Sequence, residues 1–329
     1  MRARPQNEEY MKFKHTINVL IDNFKVTYKL LIYLLIVAAV SIGISAAIIV
    51  PFINSLSDVS AYNQLMTAFG DMFDEIIHGN LNNLSTSFSD IGESFSALME
   101  YLSEHPGDLA LSVTGLLVVA LIRRFLVGLG NYTAGSLIND KMAMQANSPF
   151  TATLIKNLGK ASLYSVTYLP ISFIYDAACV VVLYFLLFVS LGSLPVMINI
   201  FLFVVLMVLL MGVKMLFTTD WLPAAICGKQ SVAGGLRYSF ARKSGGSGSV
   251  YSFYATSAVA ILAINVLGFI STFGAAIIIT VPLSYLYLLC YQFANYCDNN
   301  DIKYFTDKRT IVKPEHERET SREQFLRGE

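Results

Sequence analysis

Arg123 and Arg124 stand side by side inside Leu116–Leu129, an otherwise apolar run, and Asp176 stands alone in another, Phe173–Ala177. Charge inside an apolar helix is costly, so such groups pair, carry a substrate or proton, or reach out to the headgroups. Depth decides which pairs are feasible. At 1.5 Å per residue, Asp176 lies about 12 Å beyond the inner start of its run, and Arg123 about 21 Å below the outer start of its own. In an apolar core about 30 Å thick, Arg123 is then about 9 Å from the inner face. The depths agree, and Asp176 is expected to meet Arg123 or Arg124. Neighbouring residues diverge by about 100° around a helix, so one arginine faces Asp176 and the other snorkels. Three readings stay open: a structural ion pair, two snorkelling arginines with no partner, or a substrate or proton site.

Other chemistry is poorly represented. Ser244–Ser249 is glycine-rich but lacks the Gly-Lys-Ser/Thr end of a phosphate loop. There is no Gly-x-Ser-x-Gly elbow and no His-Glu-x-x-His pair. His15, His78, His105 and His316 are scattered, and Cys179, Cys227, Cys290 and Cys297 lack zinc spacing. No catalytic residue, metal or cofactor is expected, and the chain reads as non-enzymatic.

The elements that hold these residues are membrane helices. Of 329 residues, 55% are hydrophobic and only 14% charged; a soluble domain carries about 25% charged. A crossing needs about 20 apolar residues. Spans are predicted at 30–53, from 109 through the arginine pair, and at 168–191, 196–216, 251–271 and 274–296. Gly192–Pro195 and Ser271–Gly274 break the long apolar runs. Pro282 falls within the sixth span, where neighbouring helices tolerate it. The charged stretch to Lys29 and the long first run do not fit a cleavable signal peptide. Asn265, midway along the fifth span, is expected to bond across helices, while Gly128 and Gly130 read as small-residue packing faces.

Charge sets the sidedness. All 23 Lys and Arg fall in the N-terminal segment, around the arginine pair, in the connections after spans two and four (Lys214, at the inner end of span four, counted with the latter), or in the tail. Segment 54–108 has none, and holds nine of the 23 acidic residues. By the positive-inside bias, both termini are expected in the cytoplasm of a bacterial-type plasma membrane. The four cysteines then avoid the oxidising side and are expected to form no structural disulfide. Topology and anionic lipid account for the basic residues, leaving no signal for nucleic acid. The expected division is 1–29 as a cytoplasmic segment, 30–53 as the first span, 54–108 as an outer acidic hairpin, 109–297 as the bundle, and 298–329 as a solvated tail.

Each pair of spans is preceded by a short amphipathic stretch: Thr16–Lys25, Thr151–Lys160 and Ser231–Phe240. Leu20-Ile21-x-Asn23 matches Leu154-Ile155-x-Asn157, and Leu236 and Phe240 keep the spacing of Leu20 and Phe24. Such stretches are expected to lie as elbow helices in the membrane interface. The third follows Trp221 in a small-residue loop and reads Leu236-Arg237-Tyr238-Ser239 before a basic turn. This pattern resembles a broad bacterial group of six-helix membrane proteins related to the membrane domain of glycerophosphodiester phosphodiesterases. The resemblance covers about 140–297 and implies the six-helix fold. It does not imply the phosphodiesterase activity, which resides in a fused barrel that this chain has no room for.

Segment 54–108 carries two heptad-like seams. One is Leu84, Phe88, Ile91, Phe95, Leu98 and Leu102; the other is Tyr62, Met66, Phe69, Phe73 and Ile76. Gly79–Asn83 has turn chemistry. Two helices are therefore expected, their seams packed together or offered to another protein. No Asp-x-Asp-x-Asp-Gly calcium loop is present.

The sequence thus predicts an all-α, six-span membrane protein with elbow helices and an extracytoplasmic helical hairpin. The expected function is that of a scaffold, assembly factor or accessory subunit acting through the hairpin and elbows. Its partners would be the bilayer and a membrane or extracytoplasmic protein. The alternative is a transporter or channel for a small or lipid-like solute.

Overall fold

The computed structural model describes residues 6–78, 84–145, 148–190, 196–241, 247–272, 274–306 and 311–312. The expected turns at 79–83 and 192–195, the start of the glycine-rich stretch at 244–246 and the tail beyond Val312 lie outside them. The described residues are almost wholly helical: α1 (Gln6–Asp22), α2 (Phe24–Leu56), α3 (Ser60–His78), α4 (Leu84–Glu104), α5 (Pro106–Met142), α6 (Phe150–Lys156), α7 (Leu158–Tyr184), α8 (Val196–Thr218), α9 (Trp221–Ile226), α10 (Val232–Ala241), α11 (Ser247–Thr272) and α12 (Ile277–Asn299). A π-helical turn, Phe185–Ser190, extends α7. A two-residue antiparallel ladder joins β1 (Tyr304–Phe305) to β2 (Ile311–Val312). Helices α2, α5, α7, α8, α11 and α12 are long and apolar enough to cross a membrane. The chain is an all-α polytopic membrane protein.

The spans outrun their apolar cores. α7 begins ten residues before the expected 168, because Lys160 is carried in its first turns without a break. The first two elbows end where the matching motif places an asparagine. Asn23 separates α1 from α2 and donates from Nδ2 to the Val19 carbonyl at 2.8 Å. Asn157 separates α6 from α7. α11 ends in a left-handed glycine, Gly274 at φ +89°, whose N–H closes on the Phe269 carbonyl at 3.0 Å.

The chain divides into two compact units, 1–36 with 124–329 and 37–123, so the boundary falls between Arg123 and Arg124. In the larger unit α12 is central, with Leu286, Cys290 and Phe293 fully buried. Around it pack Val19 of α1, Leu30 of α2, Ile138 of α5, Tyr164 of α7 and Trp221 of α9. α5 and α7 approach closely at Gly128, where a Cβ would stand 2.5 Å from Ser165 Oγ. The outward faces of the spans are apolar, as in Val180–Val182, Phe201 and Leu267, which suits lipid.

In the smaller unit α3 and α4 form the expected hairpin, rooted on Phe52 and Leu56 at the end of α2. Its packed face keeps Tyr62, Ile91, Leu98 and Leu102 of the expected seams and departs from them at Met66, Phe69, Phe73 and Phe95. Leu65 and Ala68 of α3 and Leu98 and Leu102 of α4 are buried, and Ile91 is half-buried beside them. Phe95 is 52% exposed, and Phe73 and Met66 are 58% and 52% exposed. The small residues at positions 61 and 68 allow α4 to approach α3 along an alanine and leucine stripe, which leaves the larger side chains turned away. Phe88 is half-buried, and the side chains of Leu84 and Ile76 lie outside the described set.

Candidate functional site in the helical bundle

Asp176 sits on α7 one helical turn beyond Ser172, on the same face. α8 lies alongside, tied to α7 by the Tyr175 hydroxyl donating to the Leu210 carbonyl at 2.7 Å. This register brings Lys214 opposite Asp176. The Lys214 ammonium donates to Asp176 Oδ1 at 2.8 Å, to Oδ2 at 3.1 Å and to Ser172 Oγ at 2.7 Å. The Arg124 guanidinium of α5 donates to Asp176 Oδ2 as well. Two cations from two helices thus share one carboxylate held by a third. The Lys214 and Asp176 side chains are only 13% and 16% exposed, and Arg124 is 34% exposed.

Of the two arginines, Arg124 is the one at Asp176. Arg123 belongs to the other unit, where it lines a groove between α2 and α5 with Ser41, Ser45 and Leu116. Sequence reasoning missed Lys214, which it counted among the basic residues following span four. The available signal was its place inside α8, a full turn before Thr218, at the level of the Ser172/Asp176 face.

The cluster borders a cavity of about 440 Å³ between α5, α7, α8, α11 and α12. Lys214 lines it, 5.8 Å from the centroid of the Tyr168 ring, which lines it too. The wall is mainly apolar, with Val208, Met211, Ile261, Leu262 and Leu288 among its residues. Along α12 the lining runs from Val281 to Gln292, about 16 Å at 1.5 Å per residue, so the cavity is elongated along the bundle. Polar groups gather toward the end near Lys214: Asn131, Thr218, Tyr254 and Gln292. Asn131 Oδ1 is buried without a hydrogen-bond partner. The far end holds Asn265, whose Oδ1 accepts from Thr280 Oγ1 across α11 and α12 at 2.6 Å.

The elbow formed by α9 and α10 packs through Trp221 against Tyr164 and Tyr168, which line the cavity. Trp221 is fully buried, donates from Nε1 to the Val232 carbonyl at 2.8 Å, and packs edge-on against Tyr164. A Cβ on Gly235 would meet the Trp221 carbonyl oxygen at 2.9 Å. Ser239 donates to the Phe217 carbonyl at 2.6 Å, and Tyr238 to Asn300 Oδ1 at 2.7 Å. Within the Leu236–Ser239 motif, Tyr238 and Ser239 thus bond within the chain, while Arg237 is exposed.

Fold and cluster together define an integral membrane protein whose bundle contains an apolar cavity with a charged, hydrogen-bonding end. No family model, no curated protein and no solved structure matches the chain.

Proposed function

We propose that the protein is a non-enzymatic binder or carrier of a lipid-like amphiphile, held in the cavity between α7, α8, α11 and α12. One observation carries this reading: the cavity is elongated, apolar along its walls, and ends among polar side chains, Lys214, Asn131, Thr218, Tyr254 and Gln292. Its volume falls in the range of small-molecule sites, about 300–1,000 Å³. An apolar tail fits the walls, and a polar head fits the end lined by Lys214, Thr218, Tyr254 and Gln292. Lys214 is already bonded to Asp176 and Ser172, so it contributes a fixed field and a rigid wall. The charge distribution supports both termini, the Lys214 end of the bundle and the elbows on the cytoplasmic side of a plasma membrane. The six-span plan and elbows are also in keeping with the resemblance to the phosphodiesterase-related membrane group.

Mass spectrometry of the protein purified in mild detergent tests the reading. Wild type carries a stoichiometric amphiphile, and Ala258→Phe, which fills the cavity from α11, loses it while keeping its elution volume. Recovery of an empty wild type, or equal retention by the variant, would overturn the proposal.

The scaffold reading attaches to a different part of the chain. The observation that favours it is the exposed aromatic face of the α3–α4 hairpin.

A further inference from the structure

The α3–α4 hairpin is two-sided. With about 100° per residue, Met66, Phe69, Phe73 and Ile77 share one flank of α3. They are 52%, 37%, 58% and 75% exposed. On α4 the matching flank carries the half-buried Phe88, then Gly92, Phe95 and Met99. The helices run antiparallel: the Ser87 hydroxyl of early α4 bonds the Glu75 carboxylate of late α3 at 2.5 Å, while Leu98 and Leu102 of late α4 cluster with Leu65 of early α3. Turning in the same sense from the packed seam therefore leads to the same side of the hairpin on both helices. Asp71 and Gln64 of α3 lie together with Asp90 and Ser94 of α4 around a polar groove on the opposite side.

The exposed flank has a seam pattern of its own. Met66, Gly70, Phe73 and Ile77 are spaced 4-3-4, and so are Phe88, Gly92, Phe95 and Met99. That is coiled-coil spacing with a knob and a hole on each helix. A Cβ on Gly70 or Gly92 would meet nothing within 4 Å, so both glycines leave open notches.

We propose that this face pairs with the same face of a second copy of the chain, forming a four-helix bundle beyond the membrane. A two-fold axis parallel to the helices sets α3 of one copy antiparallel to α4 of the other, the neighbour relation of up-down bundles. The Ser87–Glu75 register puts Phe73 about 4.5 Å from Gly92 in height, and a helical side chain leans toward the helix N-terminus, here toward the Gly92 level, so the aromatic knob of one copy reaches the notch of the other. Covering the six exposed side chains, at roughly 100 Å² each, removes roughly 1,200 Å² over both copies, the lower edge of a specific interface.

Charge selects this occupant over the bilayer. Interfacial helices carry Lys and Arg on their polar face, whereas segment 54–108 has nine acidic residues and no basic one. Face-to-face pairing turns Asp71 and Asp90 outward on both copies. Their repulsion across the pair is screened as the Debye length falls from about 30 Å at 0.01 M salt to about 8 Å at 0.15 M. The dimer tightens as salt is raised.

Light scattering of the full-length protein in detergent, at low and high salt, reads the mass directly. Wild type is expected as a dimer whose fraction rises with salt. Gly92→Leu fills the notch with a better helix former, and is expected to be monomeric with an unfolding temperature no lower than wild type. Phe73→Ser with Phe95→Ser is also expected to be monomeric. A monomeric wild type, or a Gly92→Leu protein that stays dimeric, overturns the proposal. So does quenching of Phe73→Trp by brominated lipid above the level given by Trp221 alone, which would place the face on the bilayer. This inference does not depend on the bundle cavity, and each can fail without the other.

Discussion

Lys214 holds both carboxylate oxygens of Asp176, at 2.8 and 3.1 Å, across the α7–α8 contact. The carboxylate also takes the Arg124 guanidinium, so a single anion is shared by cations from two helices and the cluster keeps one net positive charge. Removing one partner of a buried ion pair leaves the rest uncompensated and costs about 3–5 kcal/mol.

The first prediction is therefore an order. Asp176→Asn strands two cations and is the most damaging change, by about 3–5 kcal/mol. Lys214→Gln follows, because Lys214 is the less exposed cation and also loses Ser172. Arg124→Gln is mildest, since at 34% exposure water reaches the guanidinium. Thermal unfolding in detergent, read by near-ultraviolet circular dichroism, checks the order. Arg124→Gln proving more damaging than Lys214→Gln would contradict it.

The same cluster shows how far the sequence could be read. Asp176 stood out because a lone charge in an apolar run must be answered, and depth along a helix follows from counting residues. Which arginine answers depends on the rotation of α5 about its axis, and periodicity gives no such angle for a helix that is apolar nearly all round. Lys214 was hidden because a lysine near a span end is indistinguishable, by charge alone, from one that marks the cytoplasmic side. The spans, elbows and hairpin were legible, since length and the asymmetry of 23 basic residues determine them. The hairpin's packed stripe was misjudged at Phe73 and Phe95. Large apolar residues at heptad spacing compete with small ones at an equally regular spacing, and the closer approach of Leu65 and Ala68 to Leu98 won. The cavity has no sequence signature, because its lining comes from five helices.

A second prediction concerns the elbow. Trp221→Phe keeps the ring packing against Tyr164 but leaves the Val232 carbonyl without its donor, a loss of about 1–2 kcal/mol. Trp221→Ala also opens a void and costs about 3–5 kcal/mol. Gly235→Ala drives a methyl into the Trp221 carbonyl and separates α9 from α10. Limited proteolysis after residue 228, together with the unfolding midpoint, distinguishes the cases. Trp221→Phe stays resistant with a lowered midpoint, while Gly235→Ala is cut. A Gly235→Ala protein as resistant as wild type would mean that the close approach is not required.

The third prediction fixes sidedness. Ser96 on α4 and Ser231 beside α10 are both exposed, and they lie on opposite sides of the membrane if the basic residues face inward. A membrane-impermeant thiol reagent applied to intact cells is then expected to label Ser96→Cys and to leave Ser231→Cys untouched until the cells are opened. The native cysteines give a low background, because Cys179, Cys290 and Cys297 are buried and Cys227 donates to Asn139 Oδ1 at 3.0 Å. Since six crossings put both ends of the chain on one side, Lys14→Cys on α1 should follow Ser231→Cys. Labelling of Ser231→Cys from outside would invert the assignment. Labelling of Lys14→Cys but not Ser231→Cys in intact cells would instead mean that one of the apolar helices does not cross.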